Sequence, residues 1–70
     1  MKLDQAISKI YAEYNEAISH YDKFHNQHEG YAVIKEELDE LWDDVKASRD
    51  PTQEAVEVGA MVLRFLTELC

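Results

Sequence analysis

Apolar residues recur along the first third of the chain as Leu3, Ile7, Ile10, Tyr14, Ala17, Tyr21 and Phe24. Steps of four and three make one stripe along a helix, predicted over about residues 3–24. Asp4 lies in its first turn, where a negative charge suits the helix dipole. The pattern breaks in His25-Asn26-Gln27-His28-Glu29-Gly30, a run of weak helix formers. A second helix is predicted over about 29–47, with Ile34, Leu38, Leu41 and Val45 on one face, widened by Tyr31 and Trp42. Glu29 suits its first turn. Asp50-Pro51-Thr52-Gln53 then restarts the helical pattern: Asp50 is a good N-cap, Pro51 fits the first helical position, and Gln53 completes a capping-box pattern.

The third helix, predicted over about 51–69, is apolar on two sides. Ala55, Val58, Gly59, Val62, Leu66 and Leu69 form one stripe and Val56, Ala60 and Leu63 another, leaving a narrow polar strip with Glu54, Glu57 and Arg64. A helix apolar on two sides is normally covered on two sides, which points to a subunit interface along helix three. Size argues the same way. At 70 residues the chain forms one domain, residues 1–70, and a lone domain this small buries only about 60% of its unfolded surface. The expected fold is therefore all-α: a three-helix antiparallel unit assembling into a helical bundle as a homo-oligomer, a dimer or tetramer.

Composition narrows the function. A content of 46% hydrophobic and 31% charged residues is that of a folded chain, even at a net charge of −8. Fifteen acids against seven bases disfavour nucleic-acid binding, whose affinity comes from Lys and Arg. No signal peptide or membrane-length apolar run is visible, and the one cysteine, Cys70, has no partner within the chain, so a cytoplasmic location without membrane attachment is expected.

The acids are not evenly spread. Glu36, Glu37, Glu40, Asp43 and Asp44 span roughly a third of the circumference of helix two. Glu54 and Glu57 lie one turn apart on helix three. Carboxylates on two facing helices suit Mg²⁺, a hard cation that prefers oxygen ligands and works with substrate phosphates; Mn²⁺ fits the same donors. The residues best placed to point across the helix interface are Glu37 and Glu40. His20, His25 and His28 offer a weaker zinc reading, with no cysteine nearby. Tyr11, Tyr14, Tyr21, Tyr31 and Trp42 read first as helix packing, with base stacking as the alternative.

The run Glu36-Glu37-Leu38-Asp39-Glu40, followed by Glu54-Ala55-Val56-Glu57, resembles the E-E-x-x-E and E-x-x-D elements of the MazG-like, all-α nucleoside triphosphate pyrophosphohydrolases. The resemblance covers about residues 31–66, and small stand-alone members are frequent among phages. It implies a Mg²⁺-dependent hydrolase that cleaves nucleoside triphosphates between the α and β phosphates, giving the monophosphate and pyrophosphate. By position, Glu37, Glu40, Glu54 and Glu57 match metal ligands, and Glu36 matches the leading glutamate. Glu36 or Glu57 is then the candidate to orient the attacking water. Lys35 and Arg64 are the candidates for substrate phosphate, and Trp42 and Tyr31 for base stacking. Glu57 stands where the family carries Asp, one methylene shorter. The alternative is a catalytically degenerate relative acting as a nucleotide-sequestering or protein-binding module.

Overall fold

A computed structural model describes all of residues 1–70 and contains three helices and no strand: α1 (Leu3–His20), α2 (Gln27–Lys46) and α3 (Thr52–Leu69). Helix α1 stops four residues short of the expected 24. Tyr21 is extended, at φ −121° and ψ 147°. Phe24 is nevertheless buried, as its place in the apolar stripe implied. The chain leaves the helix and folds Phe24 back onto α3. There its backbone N–H donates to Glu68 Oε1 at 2.8 Å, and its ring lies under the Arg64 guanidinium, 4.1 Å from the ring centroid.

Helix α2 begins two residues earlier than expected because Asn26 caps it, its Oδ1 accepting from the Glu29 N–H at 2.9 Å. At the other end the Ser48 N–H donates to the Val45 carbonyl and the Arg49 N–H to the Asp44 carbonyl. That pairing is a Schellman turn, and it puts Ser48 at φ 57°. A left-handed conformation costs a non-glycine residue about 1–2 kcal/mol, so the turn closes against a local preference. Asp50 Oδ1 accepts from both the Thr52 N–H and its hydroxyl, but α3 starts at Thr52, so Pro51 rather than Asp50 stands at the N-cap. The expected capping box does not form, because Gln53 donates forward to Glu57 instead of reaching back.

Helix α3 packs against both α1 and α2, while α1 and α2 do not approach each other. The stripe with Val56, Ala60 and Leu63 is thus covered within one chain, whereas the other stripe is covered only in part and leaves Ala55, Val62 and Leu66 exposed. Close approach depends on small residues: a Cβ on Gly59 would lie 2.9 Å from Ile10 Cδ1, and one on Gly30 would lie 2.8 Å from Leu69 Cδ1 and Phe65 Cδ2.

Helix α2 docks in a rotation its apolar stripe did not predict. Val33, Ile34 and Leu41 turn inward together with Glu37 and Asp44, whereas Leu38 and Val45 remain 48% and 50% exposed. The core is correspondingly small. Seven residues are buried, with Ala17, Phe24, Ala60 and Met61 forming one cluster. No helix is long and apolar enough to cross a membrane.

Candidate metal centre

Because α2 runs antiparallel to α3, one turn of each meets the other along their shared seam. Glu37 and Glu40 come from α2, Glu54 and Glu57 from α3, and one carboxylate oxygen from each lies within 4.8 Å of all the others. Glu57 reaches this group with its longer side chain. The four glutamates are the one place where three or more acidic, histidine or cysteine side chains gather in this way.

The cluster is under-satisfied. Glu57 accepts from Gln53 Nε2 at 3.1 Å, but Glu37 Oε2 and Glu54 Oε2 are buried without a hydrogen-bond partner. Two unit charges 4 Å apart repel by about 4 kcal/mol at the effective dielectric near a protein surface. Protonation relieves part of that. Burial first, then the charge of Glu40 and the neighbouring Glu57 carboxylate, pushes Glu37 up from 4.5 to about 7. Glu54 rises to about 6, from desolvation and then the charges of Glu57, Asp44 and Glu40. A cluster of oxygen acceptors with two orphaned atoms fits a hard divalent cation, which would satisfy those atoms and remove the repulsion at once.

The cluster is flanked by two unequal clefts. One, of about 430 Å³, is walled by Glu13 and Tyr21 from the α1 side and by Val33, Glu36 and Glu37 of α2, over a floor of Glu57, Met61 and Arg64. The other is lined by Glu40, Asp43, Asp44, Arg49 and Glu54, with no apolar residue. Glu36 is exposed and borders the larger cleft beside Glu37 and Glu57.

The remaining expected site residues are placed elsewhere. Lys35 pairs with Asp39 at 2.8 Å on the exposed surface, about 160° around α2 from Glu37, so it does not meet phosphate at the cluster. Trp42 and Tyr31 are 57% and 64% exposed. They line neither carboxylate cleft, and Lys46 lies over the Trp42 ring at 5.6 Å.

Arg64 borders the larger cleft but is already engaged. It is 3% exposed, its Nε donates to Glu68 Oε2 at 2.8 Å, and one Nη donates to the Asp22 carbonyl at 2.8 Å. The Arg64 guanidinium holds the Glu68 carboxyl below its ordinary range. Arg64 is therefore a strut that pins the α1–α2 connection, and the phosphate role expected of it gives way to that one. The i,i+4 spacing of Arg64 and Glu68 was the available signal.

The histidines do not gather: His20 pairs with Glu16 and His25 with Glu29, all on the surface. Tyr11 and Tyr14 stack at 6.5 Å, and Tyr14 packs on the core with its hydroxyl 3.2 Å from Thr67 Oγ1, while Tyr11 remains 59% exposed. Cys70 is exposed and unpaired. Glu13 was missed from the sequence, since nothing marks it among the polar residues of α1. No protein-family model, curated protein or solved structure matches the chain.

Proposed function

We propose that this chain is a divalent-metal-dependent nucleoside triphosphate pyrophosphohydrolase of the MazG-like kind. The observation that carries the reading is the meeting of Glu37, Glu40, Glu54 and Glu57, with two buried carboxylate oxygens left without partners. Mg²⁺ or Mn²⁺ held by these four side chains would neutralise phosphate charge and make a bound water more acidic. The chain's own part is positional. Glu36, exposed beside Glu37 and Glu57, accepts the proton of the attacking water as its oxygen bonds to the α phosphorus. The bond from that phosphorus to the bridging oxygen breaks, and pyrophosphate leaves.

A second reading has its own support. Arg49 is the one cation lining the acidic flank of the cluster, and Arg64 is committed to Glu68. A site short of free cations stabilises a transferring phosphoryl group poorly, which favours a protein that sequesters nucleotide without turnover. One assay separates the two. The purified protein is incubated with a panel of canonical and modified nucleoside triphosphates in Mg²⁺ or Mn²⁺, with monophosphate and pyrophosphate measured. Metal-dependent product supports the hydrolase; nucleotide-dependent thermal stabilisation without product supports sequestration; neither response sinks both.

Self-association belongs to the same proposal, through a broader surface than helix three alone. On α2, Tyr31, Leu38, Trp42 and Val45 are exposed within a sector of about 60°, centred roughly 110° around from Glu37. Val62 and Leu66 of α3 are exposed too, on the side away from Glu57, and Leu3, Ile7, Tyr11 and Ile18 leave a further apolar stripe on α1. With seven buried residues, the chain gains most by covering these in a second copy. Leu66→Lys combined with Trp42→Lys is expected to convert a dimer or tetramer to monomer in sedimentation equilibrium. A wild-type protein that sediments as a monomer at micromolar concentration rules the proposal out.

A further inference from the structure

The two flanks of the carboxylate cluster differ in what they can accept. Phosphates gathered at Glu37, Glu40, Glu54 and Glu57 leave the organic part of the ligand one apolar-lined place to go, because the Glu40–Asp43–Asp44–Arg49–Glu54 side has no apolar wall. The other side, of about 430 Å³, carries Val33, Met61 and the Tyr21 ring, and lies within the usual size range for small-molecule sites. Resting on the function proposed above, we infer that this cleft selects a nucleobase rich in hydrogen-bond donors, guanine over uracil, with Glu13 as the specificity-determining acceptor.

Donors and acceptors at the cleft decide which base fits. The Nε of Arg64 and one Nη are directed at Glu68 and the Asp22 carbonyl, its other Nη lies 4.0 Å from Met61 Sδ, and the residue is 3% exposed, so burial keeps the guanidinium from a ligand. Apart from Tyr21 and the buried Arg64, the polar side chains lining the cleft are Glu13, Glu36, Glu37 and Glu57, whose ionised carboxylates can only accept. Guanine presents adjacent ring N–H and amino N–H groups that match the two oxygens of one carboxylate. Uracil presents a single N–H between two carbonyls, which a carboxylate repels.

Glu36, Glu37 and Glu57 serve the reaction or the metal in the proposed function. Glu13 does not. It stands on the opposite wall, half-buried, and enters none of the chain's ion pairs. A bidentate base contact of this kind discriminates by about tenfold or more.

Calorimetric titration with Mn²⁺ alone, and then with the α,β-imido triphosphates of guanosine and uridine in Mn²⁺, tests this. The wild-type protein is expected to bind the guanosine compound about tenfold more tightly. In Glu13→Gln that preference should disappear while the affinity for Mn²⁺ alone is unchanged. Equal wild-type affinities with Mn²⁺ binding intact overturn the base selection and leave the metal centre standing; so does a preference that survives in a folded Glu13→Gln. Failure to bind Mn²⁺ overturns the metal centre and the selection together. If Glu13→Gln does not fold, Glu13→Ala is read in its place, and equal wild-type affinities overturn the selection in either case.

Discussion

Replacing Glu37 with glutamine will lower divalent-ion affinity by more than the roughly 10–100-fold that outer partners of metal ligands contribute, because Glu37 supplies one of the four converging oxygens. The same change will alter how stability depends on pH. Folded Glu37 titrates at about 7 against an ordinary 4.5, so between those values the native chain holds a proton that the unfolded chain has released. Stability without metal therefore falls as pH rises from about 5 towards 8, and Glu54, raised to about 6, acts in the same direction.

Glu29, Asp50 and Glu68 are shifted downwards, so their contribution is present at neutral pH and is lost only as pH falls through their lowered folded values. The two effects occupy separate windows. Thermal melts across pH 5–8 should show a declining Tm for the wild type, a flatter profile for Glu37→Gln, and recovery at pH 8 on adding Mg²⁺ to the wild type only. Superimposable profiles with no response to Mg²⁺ would remove the basis for a metal centre at these residues.

The largest loss of stability is expected from Arg64→Ala. The Arg64 and Glu68 side chains are 4% and 6% exposed, and the guanidinium also satisfies the Asp22 carbonyl and covers Phe24. Removing one partner of a buried ion pair costs about 3–5 kcal/mol, because the other charge stays desolvated. A 70-residue domain has in total only about 4–10 kcal/mol of stability, so the variant should be largely unfolded near 37 °C.

The double variant Arg64→Leu with Glu68→Leu should recover much of the loss, since well-packed apolar residues often replace a buried pair without penalty. Chemical denaturation followed by circular dichroism measures both; a loss under about 1 kcal/mol for Arg64→Ala would mean the pair is solvated in solution. The consequence reaches the site. Arg64 fixes Asp22 and Phe24, and with them the connection that places Tyr21 at the mouth of the larger cleft.

Periodicity alone determined that this chain makes three helices, since steps of three and four have no other regular reading, and the runs of turn and weak helix-forming residues located the two breaks to within about four residues. It also placed Glu37, Glu40, Glu54 and Glu57 as two i,i+3 pairs. Tertiary structure decided the rest. Which sector of α2 faces α3 depends on where all three helices find closest packing, so Leu38 and Val45 point outward although the apolar stripe placed them inward, while Glu37 turns inward as its place on the flank of the acidic face suggested. Arg64 reads as a cation free to meet substrate phosphate until Phe24 folds back beneath it from forty positions earlier in the chain. Glu13 acquires a role only when α1 and α2, both resting on α3, leave a cleft between them. Each of these outcomes depends on residues far apart in sequence and close in space, which local pattern does not encode.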